Sequence, residues 1–315
     1  QVVCLLDYLE VRPEQYIKIR KFVQEGRLKI GPWYVQPDEF LVSGESLIRN
    51  LLIGMEKSGQ FGEAMMHGYV PDAFGHIAQL PQILQGFGIK TAFIMRGAEE
   101  AASQLGAEFL WVAPDGTFVV CHVLETGYCN GNRLYADPGQ PLRALKQLVE
   151  NRLIHVQSGE SSFEAFIRFL ASRTKTGAVL ILNGCDHLGP QEDLPEVLTE
   201  LSQKVPRYEF HLATLDDYGE ILCAAISLME KVTGNLRRSV LHPILPGVLS
   251  TRIYLKIENF QTQTLLERYA EPLAAIVSTT GLDLRPLLKS AWAILLQNHA
   301  HDSICGTGVD EVHEE

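Results

Sequence analysis

Short apolar runs alternate with amphipathic helical stretches along the first two thirds of the chain, and this rhythm constrains the fold more than any other feature. Arg12 to Glu25 has helical periodicity, with Pro13 admissible in a first turn and Gly26 as the stop. Leu28 to Tyr34 reads as a strand, and Ser43 to Lys57 as an amphipathic helix capped by Ser43. His67 to Val70 is a second strand, Ile77 to Gln85 a helix and Thr91 to Met95 a third strand. Phe109 to Ala113 and Phe118 to Val123 flank Pro114-Asp115-Gly116, turn chemistry that predicts a hairpin. Helices near 141–152 and 161–174, a strand Ala178 to Leu182, a helix near 194–204 and a strand around Glu209 to Leu212 complete the series. Strands written as unbroken apolar runs belong in a sheet covered on both faces. The rhythm therefore predicts an α/β fold with a mostly parallel sheet or barrel.

After about residue 228 the pattern changes. Turn formers crowd 231–250, and two long helical patterns follow, about 251–280 and 284–299, separated by Gly281. A break at 300–306 precedes another helix start. We expect an α/β domain over 1–228 and a helical domain over 229–315, and 315 residues suit two such units. At 46% hydrophobic the chain can bury a large core, yet no apolar run approaches 18 residues, so no membrane span is expected. A net charge of −11 argues against nucleic acid as a partner. The six cysteines form no CxxC pair and read as reduced, packed thiols, hence a reducing, cytoplasmic setting. Val2 to Tyr8 is apolar enough for a core and lacks the charged front of a signal peptide. Gln1 at the start and a helix-like Val312 to Glu315 at the end suggest a segment of a longer protein.

Four positions stand where α/β folds place chemistry, just past strand ends. Asp72, in Gly68-Tyr69-Val70-Pro71-Asp72, follows a strand and precedes a helix; it is either an N-cap or a carboxylate held at the mouth of the sheet. Arg96 ends the next strand and could lie beside Asp72, or pair on the surface with Glu99 or Glu100. Asp186, in Asn183-Gly184-Cys185-Asp186-His187, follows a buried strand; loop aspartates also serve simply as turn formers. Asn298-His299-Ala300-His301-Asp302 closes an apolar helix with two histidines and an acid. The histidines are two apart and cannot share a helix face, so at most one would ligate a metal, and Asp302 is also a plausible cap.

Taken together these motifs resemble glycoside hydrolase family 38. The resemblance runs in order through Ile30-Gly31-Pro32-Trp33-Tyr34-Val35-Gln36-Pro37-Asp38-Glu39-Phe40, Ser43-Gly44-Glu45-Ser46, Pro71-Asp72-Ala73-Phe74-Gly75-His76, Asn183-Gly184-Cys185-Asp186 and Ser250-Thr251-Arg252. Its most specific part is Asn298-His299-Ala300-His301-Asp302-Ser303-Ile304-Cys305-Gly306. The bacterial branch, which includes mannosylglycerate hydrolases, is the more similar. The resemblance implies an incomplete seven-stranded β/α barrel-like domain followed by a helical bundle. It also implies a retaining α-mannosidase that binds one divalent ion, normally zinc. By motif, Asp72 is its nucleophile and a metal ligand, His301 a second ligand, and Asp186 the general acid/base. Arg96, Tyr128 and Asp302 would contact substrate. The family's His-x-His-x-Asp segment, which supplies the other two ligands, does not occur in this sequence. Gly234-Asn235-Leu236-Arg237 and Thr307-Gly308 also depart from the family pattern, away from the catalytic positions.

Retention requires two carboxyl groups in opposite roles, one ionised to attack and one protonated to release the leaving oxygen. A cation and Arg96 would keep Asp72 charged, while partial burial would let Asp186 hold its proton. The expected substrate is a mannoside or a mannose-containing oligosaccharide, and a homo-oligomer is possible. A mannosylglycerate hydrolase, perhaps acting on a phosphorylated substrate, is the near alternative; Asp38-Glu39-Phe40 and His76 tilt against it. A metal-dependent carbohydrate deacetylase is a more distant one.

Overall fold

The computed structural model describes every residue except 141, 152, 240, 241 and 315. The two end residues of the helix expected near 141–152 lie outside the described residues; the helix itself spans Arg143–Glu150.

Five strands form one open sheet: β1 (Gly68–Val70), β2 (Thr91–Ile94), β3 (Glu108–Val112), β4 (Phe118–Val123) and β5 (Lys231–Thr233). Their order is β1-β2-β4-β3-β5. Three neighbouring pairs are parallel, and the β3–β4 hairpin, turned by Pro114-Asp115-Gly116 as expected, is antiparallel. The sheet is thus mixed, with five strands among the described residues against the seven of the anticipated barrel. Strand alternation places the core. Ala92, Ile94, Phe109, Trp111, Val119, Cys121 and Val123 face one way and pack with Leu47, Leu51, Leu80 and Leu84 of the helices Gly44–Gly59 and Leu80–Gly86. The residues between them, Phe93, Leu110 and Val120, face the other way and pack on Tyr218 and Leu222 of the helix Leu215–Ala224. Both faces are covered, as unbroken apolar strands require.

Three expected strands are not strands. Leu28 to Tyr34 is irregular: Pro32 can donate nothing to a ladder. The segment is held instead by Val2 N–H to the Trp33 carbonyl (2.9 Å), Met65 N–H to the Ile30 carbonyl (2.8 Å) and the Asn50 side chain, which accepts from Tyr34 N–H (2.8 Å). Ala178 to Leu182 is extended and buries alternate residues in two different cores, but its partner is a loop rather than a strand. Asn130 Oδ1 accepts from Leu182 N–H (2.7 Å), and Gly131 N–H donates to the Leu182 carbonyl (2.9 Å). Glu209 to Leu212 lies on the surface without strand pairing, with Leu212 72% exposed. The unexpected strand is β5, three residues beyond 228 that run parallel to β3.

The later helices are Ile253–Leu265, Glu271–Ser278 and Arg285–Gln297, then short ones at His301–Cys305 and Asp310–Glu314. A π turn at Leu266–Ala270 joins the first two just ahead of Pro272, whose missing N–H cannot continue regular α-helical bonding. Leu266, Trp292, Leu295 and Leu296 share a core with Val2, Tyr34, Val35 and Ile53, which fastens this part to the sheet domain. Among the described residues no helix is long and apolar enough to cross a membrane.

Candidate active site

β1, β2 and β4 are successive parallel neighbours, with Val70 level with Ile94 and Ile94 level with Val123. The loops leaving their C-terminal ends carry Asp72, Arg96 and Tyr128. Sheet register alone therefore brings together three side chains spread over 57 positions of sequence. Arg96 donates from Nε to Asp72 Oδ1 at 2.7 Å, with a second guanidinium nitrogen also at 2.7 Å, and from its remaining one to the Pro243 carbonyl at 2.8 Å. It lies over the Phe74 ring, 5.6 Å from the centroid. The surface pairing open to Arg96 on sequence grounds is not made; Glu100 pairs with Arg238 instead.

Tyr128 occupies the centre. Its hydroxyl oxygen is 3.2 Å from Asp72 Oδ2 and 2.8 Å from Asp186 Oδ2. One phenol thus bridges two carboxyls whose residues are separated by more than a hundred positions. Burial, reinforced by the two carboxylates, pushes the phenol's pKa up, so it stays a neutral donor.

His301 opens the short helix His301–Cys305 and approaches from the far side, Nε2 3.6 Å from Asp72 Oδ2. Its Nδ1 lies 3.3 Å from the Gln36 carbonyl, which orients the ring and leaves Nε2 facing the carboxylate. Pro37 bridges to Ala300, and Asp38 N–H donates to the His299 carbonyl, so the 36–38 segment and the 299–301 segment are one unit. His299 is fully buried, within 2.6 Å of Asn259 Oδ1, and burial lowers its pKa to about 4. It belongs to the packing, and only His301 reaches the site.

For Asp72, burial opposes ionisation, but the hydrogen bond from His301 and the charge of Arg96 outweigh it and hold the carboxyl below its ordinary range. For His301, burial favours the neutral ring, and Asp72, Asp302 and the Gln36 carbonyl together prevail in the opposite direction. Asp302 itself is 72% exposed; its Oδ2 is 3.8 Å from His301 Nε2, and its Oδ1 accepts from the Thr307 hydroxyl at 3.2 Å. Asp186 departs from expectation: it lies exposed on its loop, and the partial burial anticipated for it is absent.

Among the described residues no group of three or more His, Cys, Asp and Glu side chains could hold a metal ion. Asp72 and His301 do suit a shared cation: a carboxylate faces an imidazole whose second nitrogen is tied to a backbone carbonyl. A cavity of about 490 Å³ is lined by Tyr69 of β1 and by Gln36, whose carbonyl meets His301, with Lys29 and Thr214 among others. Among the described residues the buried Gln36 amide nitrogen has no partner.

Two sequence readings require correction. Cys129 and Cys185 form a disulfide, Cα atoms 4.8 Å apart, so the six cysteines are not all reduced thiols. A separation of 56 positions hid the pairing, although each half-cystine directly adjoins a site residue, Tyr128 or Asp186. Glu39 and His76 are both fully buried and bound to each other at 2.6 Å, and Glu39 also accepts from Ile77 N–H at 2.9 Å. They tie two loops together from within the core. Likewise Arg252 of Ser250-Thr251-Arg252 fastens the loop after the His301 helix, donating to the carbonyls of Gly306 and Gly308 and pairing with Asp310.

Comparison with known proteins agrees with this architecture. The chain is 34% identical over its whole length to a protein of Halalkalibacterium halodurans named "Putative mannosylglycerate hydrolase", of which it covers 35%. It is 27% identical over 98% of its length to human alpha-mannosidase 2C1, covering 28% of that protein. The crystal structure of an alpha-mannosidase from Enterococcus faecalis superposes on all of the chain with a TM-score of 0.84 at 34% identity, the match covering 34% of that protein. The chain thus spans about a third of the length of these relatives. Residues 3–234 match the N-terminal domain of the glycosyl hydrolases of family 38, and the chain belongs to that family.

Proposed function

We propose that this chain carries most of the catalytic site of a retaining α-mannosidase, with Asp72 as nucleophile and Asp186 as general acid/base. The observation that carries the reading is the single hydroxyl within hydrogen-bonding distance of both carboxyls. The two oxygens that face Tyr128 are therefore no farther apart than 3.2 and 2.8 Å laid end to end, which is compatible with the roughly 5–5.5 Å between carboxyls that direct attack requires. A phenol has one proton and free lone pairs. Its hydroxyl can therefore donate to either carboxyl, and it stands within reach of both.

Asp72, kept ionised by His301 and Arg96, attacks the anomeric carbon while the glycosidic C–O bond breaks and Asp186 passes its proton to the departing oxygen. Water then attacks the glycosyl-Asp72 ester and gives its proton to Asp186, and mannose leaves with its configuration retained. Arg96 and Tyr128 hold the nucleophile's two oxygens in place throughout, and Asp302 borders the opening as a substrate contact. A divalent ion, zinc by family resemblance, would be held by Asp72 and His301. When bound it supplies positive charge for vicinal sugar hydroxyls.

The relative in Halalkalibacterium halodurans favours a second substrate, 2-O-mannosylglycerate. Parallel assays with p-nitrophenyl α-mannoside and 2-O-mannosylglycerate decide between the two; turnover of the second alone would establish the glycerate reading. The mechanism is tested by trapping with a 2-fluoro-mannosyl donor, with an adduct on Asp72 expected by peptide mass spectrometry. An active full-length protein that forms no adduct there would point to metal-activated hydrolysis of the deacetylase kind and overturn the assignment.

A further inference from the structure

The disulfide joins the two loops that carry Tyr128 and Asp186 at the residues immediately adjoining them. We propose that Cys129 and Cys185 are positioning residues for the acid/base, and that reduction of their bond by a dithiol withdraws protonation of the leaving group while sparing nucleophilic attack. This rests on Asp186 being the acid/base.

The loop's other attachments stop short of Asp186. Asn130 and Gly131 are laced to Leu180, Leu182 and Asn183 by hydrogen bonds of 2.7–3.3 Å, and Asn183 is also tied to Gln191. Among the described residues, two polar or covalent ties hold Gly184 to Pro190: the cystine, and the bond from Tyr128 to Asp186. Most of this stretch is exposed, and a Cβ built on Gly184 would meet nothing within 4 Å. Without the cystine, a single hydrogen bond to solvent-exposed Asp186 would hold the acid over the bond it must protonate, and an error of about 1 Å in such a group costs roughly a hundredfold in rate. Asp72 is held independently by Arg96, so attack survives. Both cysteines are partly exposed, so a thiolate can reach them. In the exchange the dithiol closes to its own disulfide as the cystine gains two electrons and two protons and becomes two thiols.

The test uses the full-length protein with two mannosides, dinitrophenyl (a leaving group that needs no proton) and methyl (one that does). Dithiothreitol treatment, with both thiols verified by alkylation and mass spectrometry, should lower kcat/KM on the methyl mannoside at least tenfold and change kcat/KM on the dinitrophenyl mannoside, which reports attack alone, less than threefold. C129S/C185S should reproduce that pattern and be indifferent to the reductant, which separates cystine cleavage from removal of a metal. Retention of both activities within threefold after verified reduction would overturn the proposal, as would equal loss of both. Asp186→Asn is the reference. If it lacks the leaving-group pattern, the acid/base reading fails and the proposal with it; if it has the pattern and the reduced enzyme does not, only the positioning role fails.

Discussion

Replacing Tyr128 with Phe removes one oxygen atom and leaves a ring of nearly the same shape, so it isolates the bridge between the two carboxyls. The hydroxyl donates to a charged acceptor, a bond worth about 1.5–3 kcal/mol net. Because the hydroxyl also fixes the direction from which Asp72 attacks, its loss should lower kcat/KM by roughly ten- to a hundredfold, the scale of effect when a reacting group is misplaced by about 1 Å. Part of the loss should appear in kcat, because the removed group positions reacting atoms and does not simply grip the sugar. Folding should be nearly indifferent: the ring remains, and the two carboxyls lie at a partly open site where water can replace the hydroxyl. The assay is steady-state hydrolysis of an aryl α-mannoside by the full-length protein, paired with thermal unfolding. A melting temperature equal to the parent's would show that the fold is intact. Retention of more than a third of kcat/KM, with stability intact, would refute the central place given to Tyr128.

Two further predictions concern the scaffold. Gly54 lies inside the helix Gly44–Gly59, where a Cβ would fall 2.1 Å from the Pro32 carbonyl oxygen and 2.4 Å from Tyr34 N, both backbone. Gly54→Ala should therefore destabilise by about 1–3 kcal/mol despite the better helix propensity of alanine, and should lower activity because the displaced segment leads to the Gln36 carbonyl behind His301. Unchanged urea denaturation would contradict that packing. Glu108 is fully buried; desolvation raises its pKa, but His122, Lys175 N–H, Thr176 and the Tyr218 hydroxyl more than compensate and hold it low. A depressed carboxyl contributes stability above its unfolded pKa of about 4.3, and that contribution is lost as pH falls through the folded value. Glu108→Gln, whose amide would set donors against donors, should thus be less stable than the parent at pH 7, and the gap should close below about pH 4.3. A gap that stays constant down to pH 3 would contradict the assignment.

The sheet strands and the principal helices were legible because periodicity reports burial directly: Ala92, Phe93 and Ile94 read as a two-faced strand and are one. Leu28 to Tyr34 and Ala178 to Leu182 were misread for a common reason. Apolar, extended sequence shows that a segment is buried but not what accepts its hydrogen bonds, and here the partners are an Asn50 side chain and the Asn130 loop. β5 escaped notice because three residues, two of them polar and exposed, carry no pattern of their own. At the site, Asp72 and Arg96 were recognisable as neighbours because each ends a strand, and parallel strands align their ends.

What the amino-acid order determined unaided was local and periodic: which stretches are helix or strand, where the polar residues follow strand ends, and the family-like motifs around Asp72, Asp186 and His301. Tertiary structure decided everything that depends on distances across the chain. It placed Tyr128 between two carboxyls, buried His299 while leaving His301 facing Asp72, exposed Asp186, sealed Glu39 against His76 and joined Cys129 to Cys185. The physical reason is that hydrogen bonds, ion pairs and disulfides act over a few ångströms in space. Separation along the sequence sets no such distance until the sheet and its covering helices have folded.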